Sequence, residues 1–328
     1  MVVRLLLSLC LLLIGTAAHA EDLAPWRQGN VQPKGDAGFW YMVSEGGFAR
    51  AQGLDMKMLA FNSDTLMLKA LVARELDSFE GSPISPMIAD SKGADLKVLG
   101  CSWPKLTYSF FARPQIASIG DLRGKNVGVS APGSLPDLVA RTMLRTAGVS
   151  PDDVHFVLAG SDPDRVRAIV AGTIDAAIAT SDFSARPELG LKTLARANEV
   201  VPQFLRSCII TRGEVIRDKR EQLVRLMAAE INAYSYAIGH RDAVVAIAHK
   251  VANLPASDRT PEANFDEVVA HGAVSPTLEI DMAKFVWLRD LLARDGRLDA
   301  KFDPRSLVDT SVRDDALARI AAQRKGAN

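Results

Sequence analysis

Short loops rich in glycine, serine and proline follow apolar runs in this chain, and such loops can bind small molecules. Residues Ser130–Ser134 read Ser-Ala-Pro-Gly-Ser and follow the apolar run Asn126–Val129. The next residues, Ser134–Asp137, fit the S-x-x-D capping box of a helix N-terminus with proline in the first turn. Free N–H groups and the helix dipole could hold a carboxylate or sulfonate there. The motif predicts an anion site, although Ser161–Asp164 repeats it, and many such motifs are only helix caps.

Catalytic and metal-binding motifs are missing from the sequence. No G-x-S-x-G elbow surrounds a serine, and no histidine is placed to activate Ser85, Ser130 or Ser181. The phosphate-binding loop G-x-x-x-x-G-K-S/T does not occur either. The 5 histidines lack the H-x-x-x-H spacing of a zinc site. We therefore expect a binding protein rather than an enzyme, with no cofactor and no metal.

The first twenty residues have the pattern of a secretory signal peptide. Arg4 precedes an apolar run over residues 5–14, and Ala18-His19-Ala20 fits the A-x-A rule for cleavage before Glu21. The apolar run is too short to span a bilayer. With 39 basic and 39 acidic side chains, the chain shows no basic face for nucleic acid or an anionic membrane. We expect residues 1–20 to be removed and a monomeric protein to be released into the periplasm.

Apolar runs and helical patterns alternate through the first two thirds of the chain. Short runs bounded by glycine, proline or serine predict strands. They are Lys97–Gly100, Asn126–Val129, His155–Leu158 and Asp175–Ala179. The apolar residues between them recur at helical spacing, and after about residue 214 the helical pattern dominates. This order of elements predicts mainly parallel sheets covered by helices.

An internal repeat appears when the chain is shifted by 98 positions against itself. Residues 69–77 then align with residues 167–175, and each copy has a helix end, a turn, an aspartate and the start of a strand. The two strands run into the polar loops Gly81-Ser82-Pro83 and Thr180-Ser181-Asp182. The repeat predicts two α/β lobes with a ligand cleft at the carboxyl ends of their strands. A chance likeness between two αβ units is the alternative.

A series of short motifs follows in a fixed order along most of the chain. They are Gly38–Phe48 with Gln52–Asp55, then Leu76–Pro83, Lys92–Val98, Asp121–Val129, Ala147–Val154 and Ala171–Ala177. In type and order these motifs resemble those of the nitrate-, sulfonate- and taurine-type substrate-binding proteins of ABC importers. The resemblance spans about residues 36–310. It implies a two-lobed α/β fold of the type II periplasmic binding protein class, each lobe a mainly parallel sheet flanked by helices. Lobe one would hold residues 21–108 and 210–328, and lobe two residues 109–209.

The resemblance also implies a function and a site. The protein would be the periplasmic solute-binding component of an ABC importer, closing its lobes on a small molecule and delivering it to a permease. The family's site loops and nearby aromatic side chains give the candidate ligand-binding residues, which are Phe39, Trp40, Gly81, Ser82, Pro83, Trp103, Ser130, Gly133, Ser134, Ser181 and Asp182. The register of the first site loop, residues 34–39, stays open, because residues 26–32 are polar where the family has an apolar strand.

The ligand itself is not specified by the sequence. The loops are neutral and polar and have few cationic side chains, so a bound anion would be held by helix ends. We expect a small organic anion of this kind, either a sulfonate or a carboxylate. A neutral or aromatic heterocycle such as a pyrimidine is an alternative, as is a ligand-sensing role in a signalling system. We expect Arg206 to be a surface arginine, with a guanidinium that binds an anion as the alternative.

Two cysteines remain after removal of the signal peptide. Cys101 and Cys208 lie beside the two predicted crossings between the lobes, so their side chains should be neighbours. Buried free thiols are the expected state, because free cysteine is common as a small core residue. A disulfide that restrains the crossings is the alternative.

Overall fold

The protein consists of two α/β lobes, each built around a five-stranded sheet. A computed structural model describes residues 23–326, so the predicted signal peptide lies outside the described residues. The strands are β1 Ala24–Val31, β2 Leu54–Phe61, β3 Ser78–Gly81, β4 Leu96–Trp103, β5 Tyr108–Ala112, β6 Asn126–Val129, β7 His155–Leu158, β8 Ala176–Thr180, β9 Lys192–Arg196 and β10 Ser207–Arg212. The helices are α1 Ala37–Trp40, α2 Met42–Glu45, α3 Phe48–Ala51, α4 Asp64–Val72, α5 Ile84–Asp90, α6 Leu135–Thr146, α7 Asp162–Val170, α8 Ala197–Val200, α9 Gly213–Asp218, α10 Arg220–Ala237, α11 Arg241–Val251, α12 Thr260–His271, α13 Met282–Arg294 and α14 Ser311–Gly326.

The two sheets share one topology. The strand order is β2-β1-β3-β10-β4 in the first sheet and β7-β6-β8-β5-β9 in the second. In the first sheet β1 is parallel to β2 and β3, and β10 is antiparallel to β3 and β4. In the second sheet β6 is parallel to β7 and β8, and β5 is antiparallel to β8 and β9. Four strands of each sheet therefore run one way, as predicted, and the reversed strand comes from a crossing between the lobes.

Residues related by 98 positions have the same part in the two lobes. Asp64, in the first turn of α4, accepts a hydrogen bond from the backbone N–H of Ser82 at 3.3 Å. Asp162, in the first turn of α7, accepts one from the N–H of Thr180, also at 3.3 Å. In each lobe a helix start is thus tied to the carboxyl end of a central strand, β3 in lobe one and β8 in lobe two. This equivalence confirms the predicted repeat.

The turn that precedes β3 is repeated before β8. Arg74 and Gly172 follow α4 and α7 and have positive φ angles of 63° and 74°. Asp77 then accepts a hydrogen bond from the N–H of Arg27 in β1, and Asp175 accepts one from the N–H of Asn126 in β6, both at 2.9 Å. The aspartates noticed in the sequence therefore fasten the start of each third strand to its neighbour.

The polar segment over residues 26–32 is largely strand, which the sequence did not predict. β1 pairs with β2 along its whole length, from Ala24 opposite Leu54 onward. Two of its buried polar side chains are bonded within the protein: Trp26 Nε1 donates to Ser78 Oγ at 2.8 Å, and the Ser78 hydroxyl donates to Gln28. The amide of Asn30 is also buried, but it has no hydrogen-bond partner among residues 23–326. Gln28 Nε2 also lies 3.4 Å from a Glu230 oxygen. A strand that buries polar groups in this way shows no apolar run.

The crossings between the lobes join β4 to β5 and β9 to β10. Tyr108, expected at the end of lobe one, pairs with Thr180 in the second sheet. Ser207, expected in lobe two, pairs with Trp103 in the first sheet. We therefore propose lobe boundaries between residues 103 and 108 and between residues 196 and 207, close to those expected from the sequence.

Cys101 and Cys208 form a disulfide, not the expected pair of free thiols. They lie on β4 and β10, which are adjacent antiparallel strands of the first sheet. The pairing register of these strands shifts between Ser207 and Ile209, next to Cys208. The bond links residues 107 positions apart, so it closes a loop that contains the second sheet. The two ends of that loop are held together at the crossings.

The C-terminal third is helical, as predicted, but it is not confined to lobe one. Lys284 of α13 donates to the carbonyl oxygens of Pro104, at 2.6 Å, and Pro202, at 3.0 Å, one in each crossing. Asp295, just after α13, forms an ion pair at 3.0 Å with Arg145 of α6 in lobe two. The segment around α13 therefore contacts both crossings and lobe two. None of the helices within residues 23–326 has the length and apolar content needed to span a membrane.

Candidate functional site

A cleft separates the carboxyl ends of the parallel strands of the two sheets. Its inner part is a cavity of about 30 Å³, room for about one water molecule. The loops after β1, β2, β6 and β7 form its walls, together with the start of β5. The lining residues are Val31, Gln32, Lys34, Phe61, Asn62, Ser63, Asp64, Tyr108, Ser130, Pro136, Ser161, Asp162 and Arg165. Both lobes therefore contribute to one site, at the place expected for open α/β sheets.

An outer pocket of about 530 Å³ shares Gln32, Lys34, Asn62 and Ser161 with the inner cavity. The rest of its wall comes from the loop after β1, the start of α7, Phe183 and Arg186 after β8, and the segment that leads into α12. The lobes touch around it through ion pairs. Lys34 lies 3.7 Å from Asp162, and Arg196 lies 3.4 Å from Glu267. The arrangement is a closed cleft with space for a small molecule at its mouth.

A buried ion-pair cluster occupies the loop after β1. Arg206, which we expected on the surface, is only 3% exposed; it forms an ion pair with Asp36 and donates to Thr107 Oγ1 at 2.5 Å. Lys34 Nζ lies 3.1 Å from the same Asp36 oxygen. Burial alone would raise the pKa of Asp36, but Lys34 and Arg206 lower it below its ordinary value. Arg206 is buried because it joins the second crossing to this loop.

The aromatic candidates pack beneath Arg206. Trp40 and Trp103 stack with ring centres 5.0 Å apart, and the Arg206 guanidinium lies 4.1 Å from the centre of the Trp103 ring. Phe39 meets the edge of Trp103 and stacks on Phe265 at 5.7 Å. All four rings are buried in the core of lobe one. Neither indole N–H of the two tryptophans has a hydrogen-bond partner in the described part of the chain.

Asp182 has a buried carboxylate without a hydrogen-bond partner. The side chain is 1% exposed, and neither oxygen has a partner among residues 23–326. Burial raises its pKa to about 7, and Asp36 adds to this rise, whereas Lys34 opposes it. The carboxylate faces the loop after β1, since a Cβ atom at Gly35 would collide with it and lie 2.9 Å from Thr260. Asp182 thus stands at the contact between the lobes.

The neighbouring candidate Ser181 is buried and lies in the 3-10 helix Ser181–Ala185. Its hydroxyl accepts a hydrogen bond at 2.9 Å from Ser109 on β5. Its backbone N–H donates to the carbonyl oxygen of Thr107. Both contacts lie within lobe two, so Ser181 holds the start of this short helix against the crossing.

The loop Gly81-Ser82-Pro83 is buried against Asp64. Ser82 donates its N–H to Asp64, and a Cβ atom at Gly81 would lie 2.6 Å from the same carboxylate. Burial raises the pKa of Asp64 to about 6, although the Ser82 hydrogen bond lowers it. The loop therefore supports a cavity-lining acid, and the three loop residues do not line the inner cavity or the outer pocket themselves.

The predicted anion site at α6 is filled by the protein's own carboxylate. Ser130 lines the inner cavity and donates to the Ser134 hydroxyl at 2.9 Å. Gly133, whose N–H we expected to be free for a ligand, donates it to Asp137 at 2.7 Å. Arg141 and Arg297 pair with Asp137. The helix N-terminus already carries a compensated negative charge, so a ligand anion is not required there.

Sequence reasoning missed several charged residues of the cleft. They are Lys34, Asp36, Asp64, Asp162 and Arg165. Arg165 is fully buried, pairs with Asp162 and donates to the carbonyl oxygens of Ile178 and Gly160. The repeat could have revealed Asp64 and Asp162, which are equivalent positions. The ion pairs could not be read from it, because the partners Asp36 and Arg206 are 170 positions apart.

A second pair of buried acids lies deeper in lobe one. Glu80 on β3 accepts a hydrogen bond from the Tyr234 hydroxyl at 2.7 Å, and burial raises the pKa of Glu80 to about 7. Burial, together with Glu80, also raises the pKa of Glu230 on α10. No cluster of His, Cys, Asp or Glu within the described residues could hold a metal ion. The walls of the two cavities hold equal numbers of acids and cations, which are Asp64, Asp162, Asp164 and Asp258 and Lys34, Arg165, Arg167 and Arg186.

Comparison with known proteins identifies the fold. The sequence pattern of the family described as NMT1/THI5 like matches residues 36–244, more than half of the chain. No curated protein matches the chain.

The alkanesulfonate-binding protein SsuA of Xanthomonas axonopodis pv. citri, bound to MOPS, has a TM-score of 0.72 at 18% identity, covering 88% of this chain and 99% of its own. The periplasmic nitrate-binding protein NrtA of Synechocystis PCC 6803 has a TM-score of 0.76 at 13% identity, covering 91% and 89%. A ligand-binding component of an ABC-type import system from Staphylococcus aureus, with zinc bound, has a TM-score of 0.73 at 14% identity, covering 89% and 99%. The shared feature is the two-lobed α/β fold of periplasmic binding proteins.

Proposed function

This chain belongs to the NMT1/THI5-like family, and we propose that it is the periplasmic solute-binding component of an ABC importer. The observation that supports this most is the cleft itself. Two sheets of the same topology present the carboxyl ends of their strands to it, and buried polar groups without partners line the contact. Such groups are costly in a folded protein unless a ligand or water satisfies them. Two lobes that close on one molecule account for them.

We propose that the ligand leaves the site chemically unchanged. Within residues 23–326 the hydroxyl pair Ser109 and Ser181 forms no hydrogen bond with a histidine that could act as a base, and neither cavity wall contains a histidine or a cysteine. The closing lobes supply binding energy and exclude water, which is what capture requires. A permease that recognises the closed form would be the partner, and the periplasm the location.

The predicted organic anion meets an electrostatic obstacle. Arg206 and Lys34 are both paired with Asp36, and Gly133 donates its N–H to Asp137. The cations that line the outer pocket, Arg167 and Arg186, are paired as well, with Asp164 and with Glu188 and Asp258. A sulfonate or carboxylate would have to compete with a protein carboxylate at each of these cations. The groups left unpaired include the acceptors Asp182 and Asp36 Oδ1. The charge balance therefore favours a ligand that brings N–H donors, and among the alternatives from the sequence the heterocycle fits better.

Native mass spectrometry tests the function. Protein secreted to a periplasm and purified without denaturation should carry, or take up from a panel of small polar molecules, one ligand per chain. Denaturation should release that ligand with its mass unchanged. A chemically altered product, or a protein that binds no member of a panel of anions, amines and heterocycles, would contradict the proposal.

A further inference from the structure

We propose that the ligand carries a positively charged group with paired N–H donors, of the amidine or protonated amino-heterocycle class, and that the Asp182 carboxylate accepts those donors. This inference rests on the proposed function, since it assigns the ligand class of the same cleft. It departs from the organic anion predicted from the sequence. The carboxylate that carries it belongs to lobe two, and it is covered by a loop of lobe one.

The first support is the unmet hydrogen-bonding capacity of Asp182. An ionised carboxylate has about four acceptor sites, and burial without a donor is strongly unfavourable. Both Asp182 oxygens are buried and unpartnered within residues 23–326. The Thr180 hydroxyl, which has no other partner among residues 23–326, lies close enough to lower the pKa of Asp182 as a donor and can fill one of these acceptor sites. The described part of the chain therefore leaves most of the acceptor capacity of Asp182 unmet.

The second support is the charge around it. Asp36, in the loop after β1, and Glu267, on α12, both act on Asp182 as negative neighbours. Lys34 is the nearby cation, but its ammonium already lies 3.1 Å from Asp36 and 3.7 Å from Asp162. Asp36 Oδ1 is itself unpartnered. An added cation would meet two acceptors here, whereas an added anion would be repelled.

The third support is the position of Asp182 beside the outer pocket. The carboxylate lines neither cavity of this closed form, because Gly35 separates it from the outer pocket, which Gly35, Thr260 and Phe183 help to line. A ligand would reach it when the lobes open and the segment around Gly35 moves aside. Asp182 belongs to lobe two, and the loop over it belongs to lobe one. Opening of the lobes would uncover the carboxylate to water, and closure would replace that water with the donors of the ligand. A side chain at position 35 would block this contact.

Benzamidine and benzoate make a matched pair of probes, because they have nearly the same shape and opposite charges. We expect calorimetric titration to show benzamidine binding at least about tenfold more tightly than benzoate. The variant Asp182→Asn should lose roughly tenfold or more of the benzamidine affinity. The exposed Glu199→Gln variant removes an equal charge elsewhere in lobe two, from a side chain with no ion pair among the described residues, and should stay within about twofold, because solvent screens that carboxylate.

Proton exchange provides a readout that a purely structural role would not change. Benzamidine should bind the ionised form of Asp182, whose pKa of about 7 is raised by burial. Affinity should therefore rise as the pH increases from about 5 to 8, and binding near pH 7 should release protons, as measured in two buffers of different ionisation enthalpy. Asp182→Asn should abolish the release, and its thermal midpoint should not fall, because no partner is lost.

The outcomes separate the two proposals. A protein that binds benzoate or another anion but not benzamidine keeps the proposed function and overturns the Asp182 assignment. Unchanged benzamidine affinity in Asp182→Asn overturns that assignment as well. A protein that binds neither probe nor any member of the wider panel contradicts both.

Discussion

The helix starts at Asp64 and Asp162 have the same backbone role in the two lobes but different surroundings. Each aspartate accepts a hydrogen bond from a backbone N–H at the carboxyl end of a central strand, which is β3 in lobe one and β8 in lobe two. One turn further along, lobe two has the buried Arg165, which pairs with Asp162, whereas the equivalent position in lobe one is the buried Met67. Burial consequently raises the pKa of Asp64 to about 6. The repeat therefore preserves the backbone that shapes the cleft, and the charges on it differ between the lobes.

The largest predicted change in the free energy of unfolding comes from replacing Arg165 of lobe two by methionine, the residue at the equivalent position of lobe one. Arg165→Met should remove the ion pair with Asp162 and two hydrogen bonds to backbone carbonyl oxygens, leaving Asp162 with Lys34, 3.7 Å away, as its cation. The free energy of unfolding should fall by about 3 kcal/mol at pH 7, the low end of the cost of breaking a buried pair. Urea unfolding followed by circular dichroism measures this. Met67→Leu, which conserves volume in lobe one, should cost less than about 1.5 kcal/mol. A loss below about 1 kcal/mol in Arg165→Met would show that the two helix starts are equivalent after all.

A second effect concerns the crossing strands. The first sheet has a disulfide between β10 and β4, whereas β5 and β9 in the second sheet carry no cysteine. The double variant Cys101→Ser with Cys208→Ser should lose about 2–4 kcal/mol of stability, because the unfolded chain is no longer closed into a long loop. Equal unfolding midpoints for the variant and for the oxidised protein would be inconsistent with the bond. Mass analysis of alkylated, unreduced protein provides the control for its formation.

The smallest predicted change in stability comes from replacing Asp64 or Asp162 by asparagine, and it should have opposite signs in the two lobes. The folded-state pKa of Asp64 is raised above its unfolded value of about 3.9, so ionisation of this carboxyl costs stability as the pH rises from about 4 to 6. Asp64→Asn should therefore stabilise the protein by about 1–2 kcal/mol at pH 7.5 and have little effect near pH 4. Asp162→Asn should destabilise it at pH 7.5, because Arg165 loses its partner. Unfolding curves at both pH values would decide, and the same sign in both lobes would contradict the comparison.

The fold was largely predictable because most strands and helices leave a pattern in consecutive residues. The runs at Asn126–Val129 and His155–Leu158 are strands with the predicted bounds, and the aspartate of each repeat stands just before its strand. β1 was missed for a physical reason: Gln28 and Asn30 are buried polar residues within a sheet, and apolar periodicity does not detect such strands. A Cβ atom at its glycine, Gly29, would lie 2.6 Å from Leu76 Cδ1 and 3.0 Å from Phe79 Cβ, so a larger residue would require these side chains to shift.

The site was predictable only as a set of loops. Ser130 lines the inner cavity, and Asp182 faces the loop after β1, but Phe39 and Trp40 pack in the core. The charges were not predictable, since Arg206 looked like an ordinary surface arginine without its distant partner Asp36. Pairing between residues far apart in the chain leaves no local pattern. The chemistry of the cleft therefore had to come from the structure.

Hydrogen exchange with and without saturating benzamidine tests most directly the claim that the two lobes close on one ligand. We expect slower exchange in two segments at once, residues 32–40 of lobe one and residues 180–186 of lobe two, with little change at the distant helix α14. The Asp182→Asn variant should lose both effects together. Protection confined to one lobe, or found away from both segments, would contradict a shared cleft.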